Sequence, residues 1–153
     1  MLWPKYSDVP HPTITRLGER FLYTDGSYNH GVAGWAVVES GICILQDWSR
    51  GLTSNLAEGM AIQAALELLP TGPATIRSDS LAWVQALSVK GRMRGRPSKE
   101  VYNNCKDMLR PDINLQWVPS HTGRYQGNEL ADEWARDARL NKVTMGTGAD
   151  TLR

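Results

Sequence analysis

Three β-type runs follow one another early in the chain, Arg20 to Ser27, Ala33 to Glu39 and Ile42 to Trp48, and after them the period of the apolar residues changes. Only Ser40 and Gly41 separate the second run from the third, the length of a tight hairpin turn, so consecutive antiparallel strands are expected. From Asn55 to Leu69 the residues Leu56, Met60, Ala61, Ala64, Ala65 and Leu68 recur at helical spacing, and Pro70 closes the segment. A short strand, Ala74 to Ser78, and a helix, Ser80 to Val89, come next. The glycine- and arginine-rich stretch KGRMRGRP leads to a third helix, Ser98 to Leu109, then a strand, Ile113 to Val118, the loop PSHTGRYQG and a helix from Asn128 to Leu140. The order β β β α β α α β α implies an α/β architecture, a mixed sheet with helices on both faces.

At 153 residues one domain with a single core is expected. Residues 1–18, with Pro4, Pro10 and Pro12, read as an extended lead-in, 19–140 as the domain, and 141–153 as a frayed tail. The net charge of +1 gives no overall affinity for nucleic acid, so any such affinity must come from local clusters. Cys43 and Cys105 have no histidine at ligand spacing and read as reduced residues, which excludes a disulfide framework or a zinc site. No stretch approaches the ~20 apolar residues of a membrane span, and a cytoplasmic protein is expected.

The chemistry lies in four acids. Asp25 sits inside a β-run with Gly26 and Ser27 behind it, where an unpaired buried carboxylate would cost several kcal/mol. Each acid has a plain structural explanation: Asp25 as the start of a DGS turn, Glu58 in a capping box with Asn55, Asp79 as a helix cap, and Asp132 in an ion pair with Arg136. If the strands of Asp25 and Asp79 are neighbours, however, all four converge at one end of the sheet. Converging carboxylates repel unless divalent cations hold them ionised, and a hard oxygen donor set favours Mg²⁺ or Mn²⁺ over zinc.

The segments YTDGS with GWAVV, TSNLAE with AIQAALELL, IRSDS, and WVPSHTG with GNELADEWAR resemble, in order from about Phe21 to Leu140, the motifs of type 1 ribonuclease H. That resemblance implies the RNase H-like fold, with a five-stranded sheet of three antiparallel and two parallel strands. It implies an endoribonuclease that cuts the RNA strand of RNA/DNA hybrids with two metal ions, Mg²⁺ or alternatively Mn²⁺, leaving 5′-phosphate and 3′-hydroxyl ends. Asp25 would bridge the ions, Asp132 would complete the site of the attacking water, and Glu58 with Asp79 would hold the ion near the leaving group. His121 would assist proton transfer or product release.

Asn55 would read 2′-hydroxyls, Thr53 would join a DNA-phosphate pocket, and Ser54 stands where many relatives carry a second asparagine. Gly26, Ser27 and Ser80 flank the acids as further substrate contacts. The run Lys90, Arg92, Arg94, Arg96 and Lys99 stands where some relatives insert a basic helix, and its arginines are expected to meet phosphate. Trp83 and Trp134 are expected in the core. A monomer without membrane contact is the family expectation. The rivals are an integrase- or resolvase-type enzyme, another nuclease on the same fold, and a non-catalytic hybrid-binding domain.

Overall fold

A computed structural model describes residues 18–88, 95–120 and 123–146. Strands β1 (Arg20–Asn29), β2 (Val32–Glu39) and β3 (Ile42–Arg50) form the expected meander, and β4 (Ala74–Ser78) and β5 (Ile113–Trp117) complete one sheet in the order β3-β2-β1-β4-β5. β1 pairs antiparallel with β2 and parallel with β4, so the strands of Asp25 and Asp79 are neighbours at the sheet centre. Both hairpins turn on two residues with positive φ, His30 (49°) with Gly31 (76°) and Ser40 (53°) with Gly41 (76°). That pattern matches the right-handed twist of the flanking strands.

Among the described residues four helices cover the sheet: α1 (Ser54–Glu67), α2 (Leu81–Ser88), α3 (Arg96–Met108) and α4 (Gln126–Asn141). α3 starts two residues before the expected Ser98 because Pro97, with its fixed φ, fits the first helical turn. Strand alternation divides the faces. Leu22, Trp35, Val37, Leu45 and Ile76 form the core with α1, which is buried on several sides because α3 packs on its back. α4 lies on the opposite face, where Gly34 permits close approach: a Cβ there would stand 2.4 Å from the Ala135 carbonyl oxygen.

Trp83 is fully buried, its indole lying against Gly59 of α1. Trp134 is not core: it is 39% exposed, at the margin of the helix stripe that buries Ala131, Ala135 and Ala138. Cys43 and Cys105 are free thiols, as expected. The expectation of fraying from Asn141 is corrected as far as Gly146. Met145 and Gln46 exchange two backbone hydrogen bonds of 2.8 Å, and Thr144 Oγ1 donates to Asp47 Oδ1. This pairing covers part of the β3 edge, which would otherwise offer unpaired backbone groups to another chain. Residues 147–153, like the lead-in before Gly18, lie outside the described residues. No described helix is long and apolar enough to cross a membrane.

Candidate active site

Each acid is delivered by a different element. Asp25 lies midway along β1 and is 4% exposed. Glu58 is in the second turn of α1, and Asp79 immediately follows β4. One carboxylate oxygen from each of these three residues lies within 4.8 Å of the others. The joint is Gly26, whose backbone N–H donates to Asp25 Oδ1 at 2.8 Å and to Glu58 Oε1 at 2.7 Å.

A side chain at residue 26 has no room, since a Cβ would stand 2.5 Å from the carbonyl carbon of Ala57 and 2.6 Å from the amide nitrogen of Glu58. Backbone cannot yield as a flexible side chain can. Gly26→Ala is therefore expected to lower stability by about 1–3 kcal/mol in urea unfolding and to part α1 from β1. A midpoint equal to wild type would show that the close approach is not required.

The electrostatics are those of acids in search of cations. Burial raises the Asp25 carboxyl well above the ordinary range, and the charges of Glu58, Asp79 and Asp132 push it further. Glu58 is raised to about 8, first by burial and then by Asp79, against the lowering effect of its hydrogen bonds from Asp25 and Gly26. Without metal, burial and mutual repulsion therefore favour the protonated forms of both Asp25 and Glu58. Asp132 lies outside the close trio: its carboxylate accepts from Arg136 at 2.5 Å, the ion pair expected from the spacing, while its charge still reaches Asp25.

Side-chain hydrogen bonds to the backbone hold this arrangement in place. Trp117 Nε1 donates to the Asp79 carbonyl oxygen at 3.2 Å, and Trp83 Nε1 donates to the Asn55 carbonyl oxygen at 2.7 Å. Thr53, rather than Asn55, caps α1: its hydroxyl accepts from the Leu56 N–H, which leaves the Asn55 side chain exposed. Ser80, rather than Asp79, takes the capping position of α2 and accepts from the Trp83 N–H at 3.4 Å.

Residues 18–139 match the family model for RNase H, well over half of the chain. The chain belongs to the RNase H family. It is 34% identical over 119 residues to the Pol polyprotein of Equine infectious anemia virus (strain Wyoming), covering 75% of this chain and 10% of the polyprotein. The chain thus spans about a tenth of the length of the curated relatives it matches. Among solved structures, RNase H1 from Halobacterium salinarum NRC-1 is similar with a TM-score of 0.65 and 25% identity, covering 82% of this chain and all of that one. LC11-RNase H1, isolated from compost by a metagenomic approach, has a TM-score of 0.68 at 22% identity, covering 81% and 97%.

Within this RNase H fold the sequence-expected contact residues divide by position. Thr53, Ser54 and Asn55 are exposed together at the start of α1, a few residues from Glu58. Ser27 lies two residues beyond Asp25 and accepts a hydrogen bond from Arg139. Arg96 opens α3 and is exposed. His121, Arg92 and Arg94 lie outside the described residues. The supporting roles of Arg139 and Trp83 were missed by motif reading, and Trp117 was read only as part of WVPSHTG; the available signal for Trp83 was that it lies three residues after Ser80 of IRSDS.

Proposed function

We propose that this chain is an endoribonuclease that hydrolyses the RNA strand of RNA/DNA hybrids, with Asp25, Glu58, Asp79 and Asp132 as ligands of two divalent ions, Mg²⁺ or alternatively Mn²⁺. The observation that carries the proposal is the trio of carboxylate oxygens within 4.8 Å of one another, two of which, from Asp25 and Glu58, share the Gly26 N–H. An all-oxygen donor set that raises its own pKa values fits a hard dication. Bound there, paired ions lower the pKa of an attacking water and relieve charge on the leaving 3′ oxygen.

The protein's part is placement. Asp25, central and most buried, suits the bridging role; Glu58 and Asp79 would serve the leaving-group side and Asp132 the water side. Arg136 keeps the Asp132 carboxylate oriented beside the trio. The exposed hydroxyl and amide groups of Thr53, Ser54 and Asn55, with Gly26, Ser27 and Ser80, suit reading of 2′-hydroxyls and phosphates in a shallow minor groove. His121 is proposed to move a proton or assist product departure, and Arg92, Arg94 and Arg96 to meet phosphate. The products would carry 5′-phosphate and 3′-hydroxyl ends.

The test is a substrate panel: labelled RNA/DNA hybrid, double-stranded RNA and double-stranded DNA, with Mg²⁺, with Mn²⁺ and with chelator. Metal-dependent cutting confined to the RNA of the hybrid is expected. Cutting of duplex DNA would replace the proposal with an integrase- or resolvase-type activity, and tight hybrid binding without cutting would make this a binding domain.

A further inference from the structure

Beginning four residues after Asp132, α4 and its C-cap carry Arg136, Arg139 and Lys142 at three-residue steps. Arg136 is committed to Asp132. Arg139 donates through Nε to Ser27 Oγ at 2.8 Å, and its remaining guanidinium donors have no carboxylate among the described residues. Lys142 stands at the C-cap in left-handed conformation (φ 53°, ψ 54°), with its ammonium 5.8 Å from the centroid of the Trp48 ring. Arg50, at the end of β3, places its guanidinium 5.7 Å from the same ring. Neither Arg50 nor Lys142 forms an ion pair among the described residues.

The sheet register fixes where this surface lies. Ser27, Gly34 and Trp48 form one cross-strand row, and Asp25, Ala36 and Gln46 form the next row on the same face. Strand spacing and rise put the Trp48 Cα about 12 Å from that of Asp25. The stripe from Asp132 to Lys142 extends about 15 Å along the helix axis. The chain's net charge is only +1, so these unpaired cations are a local concentration rather than general basicity. Two cations beside one indole repel each other, and the aromatic face limits their freedom before any ligand arrives. A polyanion with regularly spaced charges relieves that repulsion.

We propose that Lys142 and Arg50, ordered around Trp48, form with Arg139 a second phosphate-binding surface that holds the backbone of the hybrid on one side of the cleaved bond. The inference rests on the hybrid-cleaving function proposed above and adds a length requirement to it. At about 3.4 Å per nucleotide, 15 Å of duplex corresponds to roughly four or five nucleotides beyond the cut. Hybrids shorter than this on the contacted side lose the surface, whereas shortening the other side leaves it engaged.

The test measures binding by fluorescence anisotropy in chelator, with a long fluorescent hybrid and a series shortened from either end. Wild type is compared with the double variant Arg50→Ala/Lys142→Ala, both exposed positions away from the acids, and with Arg50→Lys/Lys142→Arg. For the long hybrid, the alanine variant is expected to raise Kd by about tenfold or more and to reduce the slope of log K against log salt by nearly two. The charge-preserving variant should restore both values, and wild type and alanine variant should converge on the shortest hybrids. An unchanged Kd and salt slope on the long hybrid would return these side chains to solvent and overturn the proposal. A wild-type protein with the expected binding signature that cuts no hybrid would remove the proposed activity and leave the surface intact.

Discussion

Asp25→Asn is expected to abolish cleavage of hybrid RNA, lowering kcat by about a thousandfold or more, while Kd for the hybrid in chelator stays within about threefold of wild type. Such a loss corresponds to roughly 4 kcal/mol of lost transition-state stabilisation, within what metal-ion charge neutralisation supplies. Asn keeps the shape and can still accept from the Gly26 N–H, but it cannot supply the negative charge that draws a cation into the trio. The same substitution is expected to stabilise the metal-free protein. It removes the carboxyl that burial, Glu58, Asp79 and Asp132 all penalise when ionised. Relief of an uncompensated buried charge is worth about 1–3 kcal/mol, or several degrees in Tm for a chain of this size. An inactive variant that melts earlier than wild type in chelator would mean that Asp25 is a structural residue. Turnover near the wild-type rate would dismiss its role as a metal ligand.

The second expected result is a fall in the thermal stability of the chelated protein as pH rises from about 5 to about 8. Glu58 titrates near 8 when folded and from 4.5 as its ordinary value, so the folded state holds the proton more tightly across that window. A group of this kind contributes stability that is present below its unfolded pKa and lost as pH rises through its folded one. Asp25 acts in the same direction. Glu39 acts oppositely, because the hydrogen bond and charge of Arg20 lower its pKa, and its contribution disappears at acid pH. The metal-free protein is therefore expected to be most stable near pH 5.

Added Mg²⁺ or Mn²⁺ should raise Tm, more at pH 8 than at pH 5, because metal competes with fewer protons. At a hundredfold excess over Kd the gain is about 2.7 kcal/mol. Asp25→Asn should lose most of this response. A metal-induced shift that is the same at both pH values would argue that the dication binds elsewhere.

Each acid alone has a plain local explanation, and the acids became legible as a group through the elements that carry them. Asp25 interrupts a strand, Asp79 ends one, and Glu58 follows a cap within a helical stripe. Pairing β1 with β4 then makes their meeting geometrical. The same local reading failed where distance along the chain decides the outcome. Met145 pairs with Gln46 although no periodicity marks residues 143–146, since a single bridge to a remote strand has no pattern of its own. Trp134 shares the spacing of the buried Ala131, Ala135 and Ala138 but lies at the margin of their stripe, and spacing alone does not say how wide the buried stripe is. The α1 cap was misplaced by two residues within Thr53, Ser54 and Asn55, three residue types that all cap well. Backbone dihedrals, which the sequence does not contain, select Thr53.

The N–H that joins Asp25 to Glu58 is main chain, supplied by a residue with no side chain to remove. Scanning mutagenesis can therefore remove either acceptor but never the donor that seats the two acids together. Only atom-level replacement of that amide, as by an ester link at residue 26 in a semisynthetic protein, would separate what the carboxylates contribute from what their shared backbone donor contributes.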